Sequence, residues 1–220
     1  MSNSLILAPS LLAANPVCYG DEIREVERFG ARYLHFDVMD GRFVPNLSFG
    51  SGVLKGLRKV SRLFFDVHLM LEEPLMHVQS FIDAGADSIT VHIEAADDPW
   101  AVHDLCKKNA VDFGIALCPQ TPVSVIEPYM RHLDILLIMG VNPGFGGQLF
   151  LKETPERIAE AFTLRMNGSA AYRISVDGGI NPKTGGLCAG AGADILVAGS
   201  SIFNASDRAA SMQALCQSAL

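Results

Sequence analysis

Short apolar runs rich in Val, Ile, Leu and Phe recur along the chain, and between them the apolar positions change to helical spacing. The runs predict strands over 5–10, 33–39, 63–70, 87–93, 112–117, 134–141, 172–177 and 194–198. In the intervening stretches Leu75, Val78 and Ile82 fall at i, i+3 and i+7, and Ile158, Ala161 and Phe162 at i, i+3 and i+4. Each trio marks one apolar helix face able to cover a sheet. Strands alternating with helices imply βαβ units and a parallel sheet.

A weak internal repeat supports the count of eight. Gly30-Ala31-Arg32, Gly85-Ala86-Asp87 and Gly192-Ala193-Asp194 each stand between a helical pattern and a strand, where glycine can end a helix in the left-handed conformation. Their spacings of 55 and 107 residues are close to two and four units if eight units divide the 220 residues. The expected architecture is a single (β/α)8 TIM barrel spanning 1–220 as one catalytic domain, with an open doubly wound sheet as the weaker alternative.

Composition narrows the class. With 49% apolar and 19% charged residues the chain can bury a large core, and 17 Lys plus Arg against 24 Asp plus Glu give a net charge of −7. That balance argues against a broad basic surface for nucleic acid or anionic membrane. Five cysteines, Cys18, Cys106, Cys118, Cys188 and Cys216, are odd in number and form no CxxC pair. Neither a disulfide framework nor a cysteine–zinc site is suggested, and a reducing cytoplasm is the expected setting. The apolar start from Leu5 to Ala14 has no preceding basic residue and is interrupted by Pro9, so it makes a poor secretory leader. The longest uncharged run, Ile135 to Leu151, is too short and too broken by Gly and Pro to span a bilayer.

In a barrel of this kind chemistry sits at the C-terminal strand ends. Period-two alternation puts His35, Asp37 and Met39 on one face of the second strand and Asp66, His68 and Met70 on one face of the third, while the seventh ends in Asp177. Two imidazoles and two carboxylates converging on a barrel mouth suit Zn2+, Mn2+ or Fe2+. The plainer reading of any one such histidine is a hydrogen-bonded core residue, but aspartate is rarely buried without a partner. Asp66 is expected to orient His68 from behind. His92 and Glu94 repeat the i, i+2 arrangement on the fourth strand and rank next as candidates. His77, His103 and His132 fall in helical or connecting segments and are expected at the surface. Met39, Met70 and Met139 end three strands, either as gap-filling core or as a polarizable pocket floor beneath a ligand.

Glycine supplies the second constellation. Asn142 to Gln148 follows the sixth strand, Gly178-Gly179 the seventh and Gly199-Ser200-Ser201 the eighth. Successive exposed N–H groups form anion-binding nests, and the last two loops are where barrels commonly hold phosphate. Tight turns or a mobile lid are the alternative reading.

The strings LAPSLLAA (7–14), HFDVMDGRFVPNLSFG (35–50), DVHLM (66–70), MGVNPGFGGQ (139–148), VDGGIN (176–181) and VAGSSIF (197–203) resemble those of the ribulose-phosphate 3-epimerase family, in the same order. The resemblance implies a TIM barrel of the ribulose-phosphate-binding type and metal-dependent epimerisation at C3 of a ketose phosphate, most simply D-ribulose 5-phosphate to D-xylulose 5-phosphate. It implies His35, Asp37, His68 and Asp177 as ligands of one divalent ion, Zn2+, Fe2+, Mn2+ or Co2+. Asp37 and Asp177 would also be the acid/base pair, exchanging protons through a metal-stabilised enediolate. Ser10 and His68 would contact substrate, and Gly144, Phe145, Gly146, Gly147, Gly178, Gly179, Gly199 and Ser200 would hold its phosphate. The family often has Ser where Gly140 stands and Asn where Cys118 stands.

A 3-epimerase for a hexulose phosphate such as D-allulose 6-phosphate uses the same machinery and is the alternative, and a non-catalytic phosphosugar-binding barrel ranks below it. The related decarboxylases carry an Asp-x-Lys-x-x-Asp third strand, whereas this one reads Asp66-Val67-His68-Leu69-Met70 without lysine. The expected partners are a small phosphorylated ketose and further copies of the chain in a homo-oligomer, with no nucleic acid and no membrane. The implied setting is carbohydrate metabolism, in the pentose phosphate pathway.

Overall fold

A computed structural model describes residues 5–218. The eight apolar runs form β1 (Ile6–Pro9), β2 (Tyr33–Met39), β3 (Phe64–Met70), β4 (Ser88–His92), β5 (Asp112–Leu117), β6 (Ile135–Met139), β7 (Arg173–Asp177) and β8 (Ile195–Ala198). The helices are α1 (Tyr19–Arg28), α2 (Ser51–Arg58), α3 (Leu75–Ala84), α4 (Pro99–Lys108), α5 (Thr154–Asn167), α6 (Pro182–Ala191), α7 (Ser200–Phe203) and α8 (Arg208–Gln217). Between β5 and β6 a single 3-10 turn, Val123–Ile126, takes the place of an α-helix.

All neighbouring strands pair in parallel, in the ring order β1, β8, β7, β6, β5, β4, β3, β2. The seam between β1 and β2 carries one parallel bridge, Ser10 to His35, so the barrel is nearly closed. This is the barrel and not the open doubly wound sheet. Several predicted strands ran one or two residues long because flanking apolar residues, such as Val141 and Tyr172, are buried without joining the ladder.

Alternation along each strand divides the apolar residues into two sets. Leu34, Phe36 and Val38 face outward into the layer shared with the helices, together with Val67, Ile89, Ile115, Leu136, Ile174 and Leu196. Inside the barrel, Ala8, Tyr33, Ile195 and Val197 pack together at one level, and Met39, Val44 and Met70 at another. Ala116, Leu137, Met139 and Val141 form a third apolar group on the β5–β6 side, and the buried polar side chains of β2, β3 and β4 lie among these, where the site is.

The repeat seen in the sequence has a structural cause. Gly30, Gly85 and Gly192 hold φ of 96°, 102° and 112°, so each turns the chain out of a helix in a conformation that side-chain-bearing residues seldom adopt. The aspartate after two of these turns does a second job. Asp87 accepts from Phe65 N and Arg58, and Asp194 from Ile174 N and Arg165; Asp134 does the same with Phe113 N and Lys107. A carboxylate at the foot of one strand thus satisfies the N–H of the second residue of its neighbour and pins a helix to the barrel.

Three expectations change. Leu75 is 41% exposed at the start of α3, so that the predicted face is buried only at Val78 and half-buried at Ile82. Ile158 and Ala161 are buried, but Phe162 is 39% exposed at the edge of α5, where its ring rests on Gly192 and beside Arg165. His77 and His132 are exposed, whereas His103 is tucked among Trp100, Phe113 and His132 because α4 turns that side toward the barrel.

Candidate active site

Asp37 and Asp177 stand on strands three places apart round the ring, yet both point inward, so their carboxylates meet. With His35 and His68 they offer four ligand atoms within 4.8 Å of one another. His35 and His68 are fully buried, and Asp37 almost so. Each group is fixed by partners that follow from strand register. β2 pairs with β3 so that His35 lies beside Asp66 and Asp37 beside His68. Asp66 Oδ2 is 2.8 Å from His35 Nδ1, and Ser88 Oγ donates to Asp66 Oδ1 at 2.5 Å. The expectation that Asp66 orients His68 is therefore corrected: it orients His35, the residue directly across the ladder. His68 instead has Nδ1 3.3 Å from Asp37 Oδ1 and Nε2 2.9 Å from His92 Nε2. Ser10 Oγ donates to Asp37 Oδ2 at 2.6 Å from the end of β1.

The protein's own charges drive these groups apart. Burial alone would neutralise Asp37, but His35 and His68 hold its carboxyl well below the usual range. Burial, reinforced by Asp37, pushes Asp177 up to about 7. Burial lowers His35, yet Asp37 and Asp66 together raise it well above the ordinary imidazole value. His68 is lowered to about 4, by burial first and by the neighbouring imidazoles, against its bond to Asp37. Two carboxyl groups of unlike basicity in one site are what paired acid/base work requires.

A cation fits this arrangement. His35 Nδ1 is committed to Asp66, which leaves Nε2 buried with no hydrogen-bond partner, 3.3 Å from Asp37 Oδ1. A buried ring nitrogen without a partner calls for one, and once His35 is neutral with its proton on Nδ1 a cation would meet the lone pair of Nε2. The nitrogen and oxygen donor set suits a first-row divalent ion.

Above the cluster opens a cavity of about 400 Å3, in the range of small-molecule sites. Ser10, Asp37 and Asp177 reach it, and Met39, Met70 and Met139 are among its lining residues. Gly144, Phe145, Gly146, Gly147, Gly178, Gly179, Gly199 and Ser200 line it too. His35 and His68 do not line the cavity; they lie beneath it. No lysine or arginine lines it either.

The glycines of the β7 loop are required by close packing. Gly178 and Gly179 hold φ of 109° and 68°, and a Cβ on Gly179 would lie 2.8 Å from the Phe150 backbone. The loop runs into α6, whose cap Asn181 accepts from Lys183 N and Thr184 N while Thr184 Oγ1 donates to Gly179 O. Asn46 Nδ2 donates to Gly144 O at 2.8 Å, tying the loop after β2 to the glycine loop after β6.

Sequence reasoning missed Asn46, Leu12 and Asn204 as cavity residues. Asn46 belongs to the HFDVMDGRFVPNLSFG string and Leu12 to the LAPSLLAA string, which were the available signals; nothing local marks Asn204. His92 and Glu94 do not join the four ligands. With Cys118 they form a second cluster, one imidazole behind the first.

A profile described as the ribulose-phosphate 3 epimerase family matches residues 6–203. A ribulose-phosphate 3-epimerase of Bacillus subtilis is 44% identical over 203 residues, covering 92% of this chain and 94% of the relative. One from Chlamydia muridarum is 42% identical over 203 residues, covering 90% and 88%. Among solved structures, the 3-keto-L-gulonate-6-phosphate decarboxylase of Vibrio cholerae superposes with a TM-score of 0.73 at 12% identity, covering 99% of this chain and 98% of that one. At that identity the likeness speaks to the barrel alone.

Proposed function

We propose, because the chain belongs to the ribulose-phosphate 3-epimerase family, that it interconverts D-ribulose 5-phosphate and D-xylulose 5-phosphate by moving a proton at C3. One observation carries the reading: Asp37 and Asp177 converge where both reach the cavity, with His35 and His68 clustered against them. Removing a proton beside a ketone and returning one to the opposite face needs a base on one side and an acid on the other. Asp37, held ionised by His35 and His68, is placed to take the C3 proton in one direction. Asp177, with its raised pKa, is placed to supply one to the other face. The roles exchange in the reverse direction, and each turnover leaves the pair ready for the opposite reaction. Atoms balance, since one proton leaves C3 and one returns.

His35, Asp37, His68 and Asp177 would hold the divalent ion, of which Zn2+, Fe2+, Mn2+ and Co2+ all suit the donors. When bound, it supplies positive charge beside the oxygen that becomes negative as C3 loses its proton. The chain's residues do the rest. Ser10 holds Asp37 in place, the methionines shape an apolar floor, and the loops after β6, β7 and β8 receive the phosphate through backbone N–H groups. Segments 142–148, 177–181 and 198–201 contain no Lys or Arg, so an acidic protein would hold this anion without side-chain cations. The names of the relatives favour the pentulose over the hexulose phosphate. The same reading takes the chain as one catalytic domain acting in the cytoplasm, which the single continuous barrel and the odd cysteine count support.

The test is turnover in heavy water. Metal-loaded protein given ribulose 5-phosphate should yield xylulose 5-phosphate carrying deuterium at C3. Product without label, or no epimerisation, overturns the reading.

A further inference from the structure

The geometry points to His92 and Glu94 as positioning residues that hold the proton of His68 on Nε2 and so leave its Nδ1 lone pair free for the metal, through a hydrogen-bonded chain running outward from the site. The inference rests on the metal-binding reading above and adds a role for residues outside the ligand set.

His68 Nδ1 is the nitrogen turned toward Asp37, and His68 Nε2 lies 2.9 Å from His92 Nε2. Two ring nitrogens that close must share one proton between them. If Nδ1 gives its lone pair to a cation, neutral His68 carries its proton on Nε2 and donates it to His92 Nε2. Neutral His92 must then carry its own proton on Nδ1, and that atom is 3.1 Å from Glu94 Oε2. Glu94 closes the chain as a pure acceptor. Its other oxygen accepts from Cys118 N at 2.8 Å and from Thr121 Oγ1. Burial opposes its ionisation, but these bonds and the one from His92 hold its pKa down at about 2.

The reversed arrangement is available and is opposed by Glu94. There His68 would donate from Nδ1 to Asp37, His92 would donate from Nε2 to His68, and the bare Nδ1 of His92 would face a carboxylate. Its remaining neighbour is the Cys118 thiol at 3.5 Å, a weak donor. Asp37 and Glu94 therefore pull the proton chain in opposite senses, and Glu94 favours the sense that leaves His68 free to bind metal. Asp66 does for His35 what the pair does for His68, by a shorter route.

His92, Glu94 and Cys118 also offer three ligand atoms within 4.8 Å. A cation there would need the Nδ1 lone pair of His92. That places the proton of His92 on Nε2 and the proton of His68 on Nδ1. With neutral imidazoles the two sites exclude each other, so the outer cluster serves as support while the inner one is filled.

The experiment uses metal-stripped protein reloaded with Zn2+. Affinity is measured by competition with a chromophoric chelator, and ring tautomers by 15N–1H NMR of the histidines. The variants are Glu94→Gln, His92→Phe and Cys118→Ser. Glu94→Gln keeps shape but presents an amide donor to His92, which favours the reversed chain. The parent should bind one ion per chain, with His68 ligating through Nδ1 and His92 protonated on Nδ1. Zn2+ affinity should fall about 10–100-fold in Glu94→Gln and His92→Phe, the usual cost of losing a ligand's outer partner, and stay within about twofold in Cys118→Ser. Unchanged affinity and tautomers in Glu94→Gln overturn the positioning role alone, whatever His92→Phe does to folding. A second ion lost in Cys118→Ser also overturns it. A parent that binds no ion overturns the metal-binding reading and this inference together.

Discussion

Asp66 Oδ2 stands 2.8 Å from His35 Nδ1, across the β2–β3 ladder and not behind its strand-mate His68. This contact decides the tautomer of His35. In neutral His35 the proton is held at Nδ1 and the lone pair of Nε2 is turned into the cluster, where that nitrogen has no partner among the described residues. The support comes from a neighbouring strand, and Ser88 on the next strand steadies Asp66 in turn.

Replacing Asp66 with Ala should therefore weaken divalent-metal binding about 10–100-fold, and cost on the order of 2–4 kcal/mol of stability by leaving buried donors unpaired. Asp66→Asn should lose less, because its carbonyl oxygen still accepts from His35. Chelator competition and urea denaturation of both variants check the order. Equal losses in the two would contradict it.

Asp37→Asn and Asp177→Asn should each lower kcat by at least about 10²–10⁴-fold, the range that proton transfer by a placed side chain contributes. Their stabilities should diverge. Asp37 receives Ser10 Oγ and faces both histidines, so its variant loses charge-assisted bonds. Asp177 is ionised only against burial and the charge of Asp37, so Asn there should leave metal-free stability unchanged or raise it. Paired kinetic and denaturation measurements test both halves.

Gly140→Ser should be destabilising. A Cβ on Gly140 would lie 2.6 Å from Gly178 O and 3.2 Å from the Phe150 ring, against backbone that cannot swing aside. Gly140 N also donates to Asp177 O at 2.6 Å. We expect a loss of about 1–3 kcal/mol, typical of overpacking, and a lower kcat as Asp177 is displaced. Wild-type values for both would show that the β6 and β7 ends can separate without cost.

Glu94 sets part of the acid limb of stability. Its folded pKa of about 2 lies below the ordinary 4.5, so the folded state binds this proton less readily than the unfolded chain. Its contribution is complete above about 4.5 and lost as pH falls toward about 2. The stability gap between parent and Glu94→Gln should be widest at neutral pH and shrink on acidification through that window. Denaturation midpoints at a series of pH values would show it, and a constant gap would contradict the assignment.

Much of this molecule was legible beforehand for local reasons. Period-two alternation put His35, Asp37 and Met39 on one face, and the structure keeps them there, pointing into the barrel. The eight runs became eight strands because each is an apolar stretch bounded by turn residues, and the Gly-Ala repeats read correctly as helix ends since only glycine sits easily at positive φ. The same local logic failed at Leu75 and Phe162, where helical spacing could not tell a buried face from its edge.

The sequence by itself determined the strands, their inward faces, the family and the four residues that could hold a metal. Which group supports which was left to tertiary structure. Asp66 serves His35 because parallel register places them side by side. His92 and Glu94 stand behind His68 because β3, β4 and β5 are neighbours in the ring. Asp37 meets Asp177 because the barrel nearly closes between β1 and β2. Spacing along a chain fixes the side of a strand on which a residue lies, but distances across a closed sheet depend on register and curvature that no single segment encodes.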